Sequence, residues 1–127
     1  MDDSKTTLQD LKDRMARFVH ERDWEQFHTP KNLAMSIAIE AAELMEHFQW
    51  LTVEGSKKLD AAHLSDIGEE LADIIIYSLS LSNTLGLDLS QTVCDKMEKN
   101  IRKYPSDKVK GKSHKYTYYQ SKDDSER

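Results

Sequence analysis

The chain has 127 residues, 38% hydrophobic and 32% charged, with a formal net charge of -5 and one cysteine, Cys94, so the composition leads us to expect one domain with its own core and no internal disulfide. Residues 106–127 hold six Lys/Arg against four Asp/Glu, leaving twelve bases against nineteen acids elsewhere, a balance that argues against a surface for a nucleic-acid duplex. No apolar run approaches the roughly 20 residues of a membrane span and no charged-then-apolar leader opens the chain, so the expected setting is the cytoplasm.

Only four glycines and two prolines punctuate the sequence, and the apolar spacing is helical throughout, so the expected class is all-α. The first helix is expected from about Thr6 to Arg22, with Leu8, Leu11, Met15, Phe18 and Val19 at helical spacing. "DWEQFHTP" breaks the pattern; Thr29 suits the N-cap of a second helix and Pro30 its first position. That helix carries Leu33, Ile37, Ala41, Leu44 and Phe48 on one side and fades after Trp50. "TVEGSKKLDAAHLSD" reads as a polar connection with a short helical turn at its end. A third helix is expected to start near Ser65 or Asp66, to turn Ile67, Leu71, Ile74, Ser78 and Leu81 inward, and to stop at Gly86. Ser90 is the expected cap of a fourth, in which Leu89, Val93, Met97 and Ile101 repeat until Pro105 ends it.

Four helices of this length predict a bundle domain over residues 1–105, followed by a polar, flexible tail over 106–127. "ADIIIYSLSL" is apolar nearly all round, which predicts pairing of subunits into a homodimer or homotetramer.

Two of these apolar helices carry acids at a spacing of three: Glu40 and Glu43 on the second, Glu70 and Asp73 on the third. At about 100° per residue, each pair shares one side of its helix. A solvated face usually mixes acids with bases, yet no lysine or arginine occurs between Ser36 and Trp50 or between Ser65 and Leu85. Four converging carboxylates repel and destabilise one another unless a cation sits among them. The alternatives are therefore an exposed acidic rim and a site for Mg²⁺, which takes carboxylate oxygens and keeps waters for a phosphate to replace.

"KMEKNIRKYP" places Lys96, Asn100 and Lys103 on one stripe of the fourth helix, fit either for phosphate oxygens or for the helix macrodipole. Trp24, Phe27 and His28 lie in the break before the second helix, Trp50 closes that helix, and Tyr77 stands one turn beyond Asp73. Such aromatics serve as core lids or interface anchors, or as a group stack on a nucleobase. Glu25 and His28 form a lone ExxH, whereas a di-iron bundle needs two.

"RDWEQFHTPKNLAMSIAIEAAELMEHFQW", "EELADIIIYSLSLSNTLGLDLSQTV" and "KMEKNIRKYP" together resemble the all-α nucleoside triphosphate pyrophosphohydrolases of the MazG superfamily, in its dCTP pyrophosphatase-like branch, over about residues 8–105. The resemblance implies a four-helix bundle-like fold, assembled as a dimer or dimer of dimers with sites between neighbouring subunits. It implies Mg²⁺-dependent cleavage of a nucleoside triphosphate to monophosphate and pyrophosphate, with a deoxycytidine nucleotide as the first expected substrate. By similarity Glu40, Glu43, Glu70 and Asp73 are the metal ligands and catalytic acids. Lys96 and Asn100, with Tyr77, face the phosphates, and Trp24, His28 and Trp50 border the base. The broader pattern begins with two adjacent glutamates; here the first is Ile39, which removes one candidate ligand or base. The rival classes are a non-catalytic structural or regulatory helical oligomer and a carboxylate-bridged redox-metal bundle.

Overall fold

Each long helix begins on a side chain that offers an oxygen to the orphaned amides of its first turn. Thr7 accepts from the Asp10 amide while Asp10 accepts from the Thr7 amide, a capping box ahead of α1 (Leu8–Glu21). Thr29 accepts from the Asn32 amide and Pro30 takes the first position of α2 (Pro30–Glu46). Asp60 accepts from the His63 amide at 2.8 Å ahead of α3 (Ala61–Leu85), and Asp88 from the Gln91 amide at 2.9 Å ahead of α4 (Leu89–Lys103). A 3₁₀ turn at Gly55–Lys57 and a one-turn helix, α5 (Ser106–Val109), complete the elements. The computed structural model describes residues 1–113 and Thr117, all of it helix, turn or irregular chain with no strand among them. None of the described helices is long and apolar enough to cross a membrane.

The chain divides into two compact units, Met1–Leu87 and Asp88–Arg127. The expected flexibility of the tail falls mostly on residues outside those described, while its start carries α5.

Three boundaries differ from the sequence expectation. Helix α3 begins at Ala61 rather than near Ser65, because Asp60 outcompetes Ser65 and Asp66 as a cap and Ala61 and Ala62 propagate the first turn. Asp88, not Ser90, caps α4 for the same reason. Helix α2 ends at Glu46, and hydrogen-bonded turns carry the chain on through Trp50.

Within the first unit, α2 and α3 run antiparallel: His28, just before α2, meets Ser80 near the end of α3, and Glu43 near the end of α2 meets Glu70 near the start of α3. Helix α1 is antiparallel to α3 as well, with Asn83 donating to the Lys12 carbonyl at 3.0 Å and Lys12 Nζ to the Leu87 carbonyl at 2.8 Å. Gly86, with φ of 65°, ends α3 in the left-handed conformation that glycine adopts without cost.

Met15, Val19, Leu33 and Leu79 form the buried core, and Leu33 is only 1% exposed. Ile67, Ile74, Ser78 and Leu81 of the expected inward stripe of α3 are half-buried and Leu79 is buried, whereas Leu71 is 51% exposed. Ser80 and Ser82 are buried beside it; Ser82 donates to the Leu79 carbonyl and Ser80 Oγ bonds the His28 ring, so neither hydroxyl is left unsatisfied. Leu33→Ala removes the best-buried side chain and is expected to lower unfolding free energy by about 2–5 kcal/mol, read by urea denaturation with an unchanged m-value.

Candidate active site

Glu40 and Glu43 lie three residues apart toward the end of α2, and Glu70 lies in the first half of α3. The antiparallel packing of the two helices brings one carboxylate oxygen from each of the three within 4.8 Å of the others. Glu40 is the innermost. Its Oε2 is buried with no hydrogen-bond partner, the one such side-chain atom among the described residues. Burial, then hydrogen bonding to and the charge of Glu43, then Glu70 and the charge of Asp73, push its carboxyl up from 4.5 to about 7. Asp73 therefore acts on the cluster through its charge, while its oxygens fall outside the three-carboxylate set.

These observations fit a divalent hard cation. Oxygens bonded to one ion at about 2.1 Å are at most about 4.2 Å apart, so a slight closure of the three glutamates suffices. A buried oxygen without a partner is the position that a cation satisfies.

His47 was not anticipated from the sequence. Its Nε2 lies 3.7 Å from Glu70 Oε1, with the side chains 25% and 21% exposed. The signal was present in "ELMEH", where His47 follows Glu43 by one helical turn.

Phe18, Trp24 and His28 collect at the opposite end of the α2–α3 pair. Asp23, with φ of 52°, turns the chain after α1 so that the Trp24 amide returns to the Val19 carbonyl at 3.1 Å. Trp24 then stacks on His28 with ring centroids 6.2 Å apart and meets Phe18 edge-on at 5.7 Å. His28 Nδ1 bonds Ser80 Oγ at 3.2 Å, and His20 Nδ1 meets Glu25 Oε1 at 2.9 Å. The Glu25 carboxyl is held below its usual range by its own backbone amide and by His20. A cavity of about 480 Å³ opens between Val19, His20, Glu25, His28, Ser80 and Asn83. No second ExxH accompanies Glu25 and His28.

Ten residues of α3 separate Ser80 from Glu70, which at 1.5 Å per residue is about 15 Å. The acids and the Trp24–His28 stack of one chain are therefore not brought together. Tyr77 is half-buried between them on α3, and Trp50, in the turns after α2, is 88% exposed. Lys96 and Asn100 share one side of α4 in the second unit, Lys96 exposed and Asn100 half-buried.

Three glutamates from two antiparallel helices, closing on a buried oxygen that lacks a partner, define an all-α protein with a carboxylate cluster of a kind that could hold a cation. The model of the MazG-like family matches residues 35–118, and the chain belongs to that family. It is 41% identical over 116 residues to dCTP pyrophosphatase 1 of Bos taurus, covering 90% of this chain and 69% of that protein. To dCTP pyrophosphatase 1 of Homo sapiens it is 40% identical over 113 residues, 87% of this chain and 66% of that protein. The chain thus spans about two thirds of the length of these curated relatives. A pyrophosphatase from Archaeoglobus fulgidus superposes with a TM-score of 0.73 at 41% identity, over 77% of this chain and 92% of that one.

Proposed function

We propose that the protein is a nucleoside triphosphate pyrophosphohydrolase that uses Mg²⁺ and acts on dCTP or a related deoxynucleotide, clearing it from the nucleotide pool of the cytoplasm. The observation that carries this reading is the Glu40, Glu43 and Glu70 cluster with the orphaned Glu40 Oε2, in a chain about 40% identical to named dCTP pyrophosphatases.

Glu40, Glu43, Glu70 and Asp73 are the residues that would hold the ion. Bound there, Mg²⁺ would supply positive charge beside the triphosphate and make a nearby water more acidic. Glu43 or Glu40 orients the attacking water and takes its proton. The water oxygen bonds to the α phosphorus while the α–β bridging P–O bond breaks in line, and pyrophosphate leaves with the bond's electron pair. Lys96, Asn100 and Tyr77 bind phosphate oxygens; Lys96 offsets the charge that grows on the leaving group. Trp24, His28 and Trp50 border the base.

The separation of about 15 Å along α3 exceeds the reach from a base to its own α phosphate. Trp24 and His28 therefore serve a carboxylate cluster of a second copy. The same assembly gives cover to Met35, Ile39, Leu71, Ile75 and Ile76, large apolar side chains of α2 and α3 that one chain leaves exposed. A homodimer or homotetramer buries them.

Pyrophosphate release from a panel of nucleoside triphosphates, each with Mg²⁺ and with chelator, tests the proposal. The expected result is release that chelator abolishes, fastest with dCTP; no release from any triphosphate would refute it. Trp24→Ala is expected to raise KM about 10- to 100-fold with a smaller change in kcat, since base stacking on an aromatic contributes about 1–3 kcal/mol.

A further inference from the structure

Within Met1–Leu87, His47 is the base that meets an acid of the cluster, and the mechanism above leaves it unused. His47 closes α2, with its amide bonded to the Leu44 carbonyl at 3.3 Å in a tightened last turn. Residues 40, 43 and 47 stand at steps of three and four, so His47 shares the helical stripe that carries Glu40 and Glu43. Its Nε2 approaches Glu70 Oε1 to 3.7 Å, and both side chains are at least three-quarters covered. The nitrogen does not belong to the set of oxygens lying mutually within 4.8 Å. It thus reaches Glu70 from outside the cluster.

We propose that His47 is a positioning residue for the metal centre: its Nε2 holds Glu70 by one carboxylate oxygen, so that the other oxygen is presented to the ion. The inference rests on the metal reading of the cluster. Its physical basis is the freedom of a glutamate. Glu70 enters the site on three rotatable side-chain bonds and has two equivalent oxygens, and each conformer that points elsewhere lowers metal affinity in proportion to its population. A donor fixed to one oxygen removes most of those conformers. At 3.7 Å the contact is longer than a hydrogen bond, and a closure of less than about 1 Å brings it into the 2.7–3.2 Å range. The small closure that draws the three glutamates around an ion supplies such a movement. Partners of this kind behind a metal ligand typically account for 10- to 100-fold in affinity.

Mn²⁺, which takes the same ligands as Mg²⁺ and is paramagnetic, is the probe. Its binding is followed by electron paramagnetic resonance in the full chain and in Glu43→Gln, His47→Leu and His47→Gln. The expected pattern is binding by the wild type, loss in Glu43→Gln, an affinity about 10- to 100-fold lower in His47→Leu, and recovery of most of that loss in His47→Gln, which keeps an N–H donor. Should the leucine variant fail to fold, His47→Phe keeps a ring without the donor and carries the same comparison. Wild-type affinity in the leucine or phenylalanine variant overturns the positioning role while leaving the metal reading intact. A glutamine variant as weak as leucine also overturns it, because packing alone then accounts for the loss. Strong coupling of Mn²⁺ to a directly bonded nitrogen in the wild type overturns it by making His47 a ligand. Absence of Mn²⁺ binding in the wild type removes the metal reading and this inference together.

Discussion

Glu43→Gln is expected to lower the rate of pyrophosphate release by about a thousandfold or more while leaving the far-UV helical signal unchanged, and Glu70→Gln to do the same. The magnitude follows from what the amide removes. A carboxylate oxygen held against a divalent ion is worth several kcal/mol of charge stabilisation, and each 1.36 kcal/mol is tenfold in rate. Replacing a negative oxygen by a neutral one also leaves the remaining acids to bind the cation alone, so saturating Mg²⁺ recovers only part of the loss. The helix is spared because its start is held by Thr29 and Pro30 and its packing by Leu33, none of which the substitution touches. Steady-state release with dCTP across a Mg²⁺ titration, beside circular dichroism of each variant, makes the measurement. Full activity in either variant would leave the cluster without a role in the chemistry.

Much of this carboxylate cluster is legible in the sequence, for a physical reason that also marks where legibility stops. Glu40 and Glu43 interrupt an apolar helix, as do Glu70 and Asp73, and no lysine or arginine offsets them; charge without compensation beside apolar residues is a signal that survives translation into any helical packing. The antiparallel meeting of Glu43 with Glu70 is a tertiary fact, and so is the exclusion of Asp73 from the closest set. Helical periodicity placed Leu33 and Val19 in the core, but it put Leu71 inward, where α3 turns it out. The alternation in "SLSLS" hides the burial of Ser80 and Ser82, which are small enough to be buried once the His28 ring and the Leu79 carbonyl bond their hydroxyls. Boundaries failed where two capping residues competed within a few positions, as with Asp60 against Ser65 and Asp88 against Ser90. His47 was missed because a histidine on a helix end has several ordinary uses, and only the neighbouring helix distinguishes them.

Glu40→Gln is expected to act in opposite directions on stability and on catalysis, which separates a functional carboxylate from a structural one. The Glu40 carboxyl titrates near 7 in the folded chain against an ordinary value of 4.5, because burial and the neighbouring Glu43, Glu70 and Asp73 disfavour its ionised form. A carboxyl whose folded pKa is raised contributes stability that is fully present below its unfolded value and is lost as pH rises through its folded value. The melting temperature of the metal-free wild type should therefore fall between about pH 5 and pH 8, as the folded chain is forced to ionise a crowded group that ionises freely when unfolded. Glutamine cannot ionise, so the variant should lack this component of the fall and melt above the wild type at pH 8. Subtracting the two profiles cancels the histidines that titrate in the same window. Mg²⁺ reverses the order: it satisfies the ionised Glu40 and raises the wild-type melting temperature most above pH 7, while the variant, deprived of the innermost ligand, responds weakly and loses about a hundredfold or more in turnover. Differential scanning fluorimetry from pH 5 to 8, with Mg²⁺ and with chelator, gives both halves of the result. A metal-free wild type whose difference from the variant stays constant across that range would show that Glu40 keeps its ordinary titration, and the cluster would then be a set of independent surface acids.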